Sequence, residues 1–162
     1  MQVHGMLSQF PKEVKGLAIA FIITLSIGFY TSIRFVNDTT KSNPQGIEER
    51  YLGNEENDTA TTMQFKKSKA EIITLVHNHI LSLSVIFFLL GGLVATTRIH
   101  KKLQSFLMIE PFISIICTFG GIYFMWTGIT WFKYIIMISG ILMTITFIMS
   151  TFYILKDLLI KK

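Results

Sequence analysis

Four ionisable side chains fall inside long apolar runs of the sequence: Arg34, His77, His79 and Glu110. Charged or titratable groups are costly in hydrocarbon, so each is a candidate for chemistry. His77-Asn78-His79 is the sharpest local motif, because imidazole ligates haem iron and many transition metals. Helical geometry restricts it. Residues two apart on a helix point about 200° away from each other, so the pair cannot grip one ion and at most one ring faces a bundle interior. A haem would need Met137 as its second axial ligand, the methionine best placed by depth, or a ligand from a partner subunit or a symmetric dimer. The alternative is imidazoles hydrogen-bonded to Tyr30, Tyr123 or a backbone carbonyl. Counted at about 1.5 Å per residue, the pair lies at the level of Tyr30, Arg34, Tyr123, Tyr134 and Met137, roughly 8 to 10 Å below the outer surface. Glu110 lies about 10 Å in from the opposite side. It offers a carboxyl that trades a proton, or a structural group paired with Lys156 or with hydroxyls of the last span.

These residues must be positioned by transmembrane helices. The chain has 162 residues, 51% hydrophobic and 15% charged, against about 25% charged in soluble domains. Four apolar runs, about 16–36, 72–96, 103–126 and 131–155, are each long enough for a hydrocarbon core of roughly 30 Å. Backbone groups cannot go unpaired in lipid, so the runs are helices. The expected fold is all-α: one integral membrane four-helix bundle with an outer loop at 37–70. The first run is longer than a secretory h-region and no small-x-small cleavage site follows it, so it reads as an anchor. Cys117 is the lone cysteine and sits in an apolar run, which excludes a disulfide scaffold. No phosphate-binding loop and no catalytic constellation is present, so no enzymatic role is expected.

Basic residues set the orientation. The tight Thr97 to Lys102 connection holds Arg98, Lys101 and Lys102 and no acid, whereas the Thr127 to Phe132 turn holds no cation. Both termini are therefore expected inside. Basic flanks beside an anionic inner leaflet account for the net charge of +5 without a nucleic-acid partner.

Small residues predict the packing faces, because helices approach closely in lipid through them. Gly16, Ala20, Thr24, Gly28 and Ser32 recur every four residues in the first run. Ser84, Gly91 and Ala95 form a stripe in the second, and counting seven back from Ser84 places His77 against a neighbouring helix. The third offers Ser114, Cys117, Thr118, Gly120 and Gly121, and the fourth Ser139, Gly140, Thr146 and Ser150. Pro111 predicts a kink or a fresh helical start, and Trp126 and Trp131 are interfacial anchors. In the outer loop, five acids fall between Glu48 and Asp58. The run reads as solvated, its spacing does not match a calcium loop, and Tyr51 and Leu52 within it either fold back onto the bundle or dock another subunit. Asn37-Asp-Thr and Asn57-Asp-Thr fit the glycosylation pattern.

The second run, Glu71-Ile-Ile-Thr-Leu-Val-His-Asn-His-Ile-Leu-Ser-Leu-Ser-Val-Ile-Phe-Phe-Leu-Leu-Gly91, with Gly28-Phe-Tyr-Thr-Ser-Ile-Arg34, resembles small uncharacterised four-helix bacterial membrane proteins carrying His-x-His in the second span. More distantly, His-x-His near the start of a span is similar to helix two of haem-copper oxidase subunits, where one such histidine ligates low-spin haem. That resemblance carries over to His77 or His79 alone. The chain lacks the other haem and copper histidines, so it implies haem binding at most and not oxidase activity.

The leading expectation is a multi-pass protein of a bacterial inner membrane, surrounded by lipid. It would act as a binding or accessory subunit whose outer histidine cluster and acidic loop face a cofactor, a membrane protein partner or a second copy. The alternatives are a haem-binding redox protein using His77 or His79, and a small proton-coupled carrier centred on Glu110.

Overall fold

The computed structural model describes residues 6–55 and 62–159, and every element in them is helical. His4, the second sequon and the last two lysines lie outside the described residues, as do Glu56 and Asp58 of the acidic run. The elements are a 3-10 turn Leu7–Gln9, α1 (Lys12–Thr40), α2 (Pro44–Leu52), α3 (Lys69–Ala95), α4 (Lys101–Ile115), a π-helical stretch Ile116–Gly120, α5 (Gly121–Trp126) and α6 (Phe132–Leu159). Helices α1, α3 and α6, together with the continuous Lys101–Trp126 segment, are long and apolar enough to cross a membrane.

That third span is the centre of the bundle. Half of its apolar window is buried, against 11% for α1 and for α3. It packs along both α3 and α6, while α1 lies at the edge against α6 and α2. Phe147 of α6 joins the helices: its ring stacks on Phe29 of α1 at 3.9 Å and meets Phe87 of α3 edge-on at 6.4 Å. Aromatic pairs of this kind contribute about 0.5–1.5 kcal/mol beyond the area they bury.

Hydrogen bonds gather the elements at the two ends. At the end bearing both termini, Leu7 N–H donates to the Thr96 carbonyl at 3.2 Å. The Arg98 guanidinium donates to Ser8 Oγ, and Arg98 N–H donates to the buried Asp157 carboxylate at 2.6 Å. Gln104 closes the end of α3 by donating to the Val94 and Ala95 carbonyls, each at 3.0 Å, which satisfies groups that a helix C-terminus leaves unpaired.

At the opposite end the 37–70 segment is more ordered than a plain loop. Helix α1 continues to Thr40 and stops where Lys41 turns left-handed at φ 52. Asn43 caps α2 by accepting from Gly46 N–H at 2.7 Å, with Pro44 in the first turn, a favoured helix start. Tyr51 and Leu52 fold back and pack against the core. Burial pushes the Tyr51 hydroxyl above its ordinary pKa, opposed by the adjacent Arg50 cation. Glu48 of the acidic run pairs with Lys133 of α6 at 2.5 Å, and Trp126 donates to the Lys67 carbonyl at 2.7 Å. The first sequon is helical, and Asn37 Oδ1 accepts from Ser42 Oγ at 2.9 Å.

The small-residue stripe of α1 does not form its packing face. Gly16, Ala20, Thr24, Gly28 and Ser32 are all exposed, while Ala18 and Ile22 are buried and Leu25 and Phe29 pack against the core. Gly16 is offset by two residues from Ala18, so the stripe begins about 200° away and stays on the outer side. An aromatic, Phe29, meets α6 on this face, and an added Cβ at Gly16 or Gly28 would meet nothing within 4 Å. The small residues of the other spans fare differently: Gly91, Ser114, Thr118, Gly121, Ser139, Thr146 and Ser150 are buried. At Gly121 an added Cβ would lie 2.9 Å from the Ile136 side chain.

Candidate functional site

Helix α4 buries Leu107, Gln104, Glu110, Pro111, Ser114 and Ile115. Positions 107, 110, 111, 114 and 115 recur at the three- and four-residue spacing of one helix face, so the packing that buries Leu107 and Ile115 carries Glu110 inward with them. One turn further, Ser114 Oγ donates to Glu110 Oε1. Glu110 Oε2 is buried without a hydrogen-bond partner. Neither Lys156, which is exposed, nor a hydroxyl of α6 bonds the carboxyl, so the structural pairing that the sequence offered as one alternative does not form. A side chain of span three reaches the carboxyl first because Ser114 lies at i+4 on the same face. Leaving a buried acceptor unpaired costs about 1–3 kcal/mol, and a charge at the centre of a transmembrane helix costs about 2.5–3.5 kcal/mol on insertion scales.

The carboxyl lines a groove of about 570 Å³ between α4 and α6, within the range of about 300–1,000 Å³ for small-molecule sites. Its polar positions are Ser105, Glu110, Ser114, Cys117 and Ser139, and the other lining side chains are apolar. Ser105 to Cys117 spans about 18 Å of helix, so the polar positions follow the groove for more than half the hydrocarbon thickness. Next to Cys117, Thr118 Oγ1 lies 2.7 Å from Ser139 Oγ, which itself donates to the Ile135 carbonyl at 2.7 Å. With the Ser139 proton so committed, Thr118 is the donor between the two hydroxyls. Pro111 does not end α4; the irregular backbone falls after it, in the π-helical stretch. Such π-turns recur at functional sites. The mouth of the groove opens sideways past Ile109, Ile113 and Ile138, each more than half exposed.

The expected outer histidine cluster does not converge. His77 is exposed and makes no hydrogen bond, although the sequence placed it against a neighbouring helix. A straight helix drifts about 20° per seven residues, so two steps back from Gly91 carry His77 off the packing face. His79 is exposed as well, but its ring stacks on Phe119 at 4.8 Å and its Nδ1 lies 2.8 Å from the Leu75 carbonyl. Because a carbonyl only accepts, Nδ1 holds the proton and Nε2 is free. Tyr30 and Arg34 are exposed on α1 and Tyr134 on α6, Tyr123 packs beside Trp126, and Met137 packs against the apolar core. Lys133 lies over the Tyr134 ring at 5.7 Å. Among the described residues, no three His, Cys, Asp or Glu side chains gather as a metal site.

The model of the Aq_1264_TM family, described as a transmembrane helical domain, matches residues 41–162. The chain belongs to this family. The match takes in α2, three of the four spans, both histidines and the whole α4/α6 groove, and begins just after α1. Helix α1 is thus outside the matched family domain and also the span packed at the bundle's edge. No curated protein and no solved structure matches the chain. The chain is an integral membrane protein with lipid-exposed helices.

The sequence singled out Glu110 but did not connect it with Ser105, Ser114, Cys117 and Ser139. Ser114 at i+4 was a usable local signal. The participation of α6 was not, because it depends on how two helices pack.

Proposed function

We propose that this chain is a small proton-coupled carrier of a bacterial inner membrane, with both termini cytoplasmic. It works by binding and release at Glu110, with no chemical conversion of what it carries. The observation that supports this reading is the buried, unpartnered Glu110 Oε2 on a groove open to lipid. A carboxyl so placed is neutral when it holds a proton and needs a counter-charge when it does not. Its occupancy by a proton is therefore coupled to whatever else enters the groove. An accessory role built on the outer histidines has less support, since the two rings diverge and the polar groups at their level are scattered.

The test is proton movement in liposomes reconstituted with the purified chain under an imposed pH gradient. Glu110-dependent flux is expected. Flux that is the same in Glu110→Gln removes the proposed role.

A second reading, haem binding, rests on His79 alone. Its Nδ1–H is committed to the Leu75 carbonyl and Nε2 is free, the orientation usual in iron-bound imidazoles. If this reading holds, the protein purified from haem-supplied cells shows a Soret band that survives His77→Ala and disappears in His79→Ala. A spectrum without the band rejects it.

A further inference from the structure

Resting on the carrier reading above, the chemistry of the α4/α6 groove narrows what it carries. We infer that the groove takes a lipophilic monovalent cation, an ammonium on an apolar body, which exchanges with the proton of Glu110. The groove lining includes Phe106, Ile109, Ile113, Ile138 and Leu142 and no Lys, Arg or His. An anion entering it would meet an acidic side chain and no positive charge. A hydrated metal ion would lose its water for one carboxyl and a few hydroxyls, which is too few oxygens for a dehydrated divalent cation. A neutral hydrocarbon would leave the unpaired Oε2 as it is. An apolar body with one positive charge covers the isoleucine walls and supplies the counter-charge that the carboxylate lacks. Entry is lateral, past exposed Ile109, Ile113 and Ile138, so the ligand arrives from the lipid phase.

The exchange balances in charge and atoms. Protonated Glu110 gives up one proton to water, the oxygen–hydrogen bond breaks, and the resulting carboxylate pairs with one cation. Ser114 keeps its hydrogen bond to Oε1 throughout.

The experiment uses the full chain in nanodiscs of zwitterionic lipid, titrated calorimetrically with benzyltrimethylammonium in buffers of different ionisation enthalpy. Its uncharged isostere, neopentylbenzene, is titrated in parallel. The expected result is release of about one proton per cation bound, a loss of more than tenfold in affinity in Glu110→Gln, and no proton release with the isostere. Ile138→Trp, a lipid-facing change that fills the groove and keeps the carboxyl, is expected to weaken binding by a similar factor and serves if Glu110→Gln does not fold. Binding without proton release, equal affinity for the isostere, or undiminished binding in the variants overturns the inference. Glu110-dependent proton flux with no binding of the cation overturns the ligand class and leaves the carrier reading standing. Glu110-dependent binding with Glu110-independent flux does the reverse.

Discussion

Glu110→Gln is expected to reduce proton flux through reconstituted liposomes by about a hundredfold or more, the scale on which a positioned proton-transfer group acts. The substitution is nearly isosteric, and the amide oxygen still accepts from Ser114. What it removes is the titratable proton and the anionic state, whose cost in a transmembrane helix is about 2.5–3.5 kcal/mol. Thermal stability in detergent is therefore expected to stay level or rise while flux is lost. A variant that loses flux and unfolds together would instead mark Glu110 as structural. His77→Ala is the matching control, because that ring is exposed and makes no hydrogen bond; its flux is expected to equal that of the parent.

The largest structural effect is expected at Gly46→Ala. A Cβ there would sit 1.9 Å from the Thr40 carbonyl oxygen and 2.6 Å from its carbon. Both are backbone atoms at the buried end of α1, so no rotamer change relieves the clash. Overpacking costs about 1–3 kcal/mol where side chains can adjust, and the upper end applies when backbone must move. Helix α2 is expected to lift away from α1 and α6, breaking the Lys133–Glu48 pair and uncovering Ile47 and Tyr51. Trypsin cleavage after Arg50, followed in intact vesicles that present this end outward, is expected to accelerate severalfold. A cleavage rate equal to the parent's would show that α2 is not held by that contact.

How legible the fold was depended on whether a feature was local. Apolar length alone located the four spans, because the requirement for internal backbone pairing leaves no other structure in lipid. Helix α2 was passed over, although Asn43-Pro44 at its start and Gly53 at its end are standard boundary residues; the acidic run around them read as solvated chain. The α1 stripe misled because small residues permit close packing without requiring it. Its bundle face is set by the Phe29–Phe147 stack, a partnership between residues more than a hundred positions apart. His77 was misplaced by extending a heptad stripe along a straight helix. Glu110 was legible as an outlier in hydrocarbon, but its groove was not, since Ser139 is brought to it only by the packing of α6 on α4.

Reaction with a lipid-soluble carbodiimide, which modifies protonated carboxyls from within the bilayer, tests the role of Glu110 most directly. Peptide mass analysis is expected to find the adduct on Glu110, accompanied by loss of proton flux in proportion to labelling. Adducts confined to other carboxyls, or full modification of Glu110 with flux intact, would contradict it.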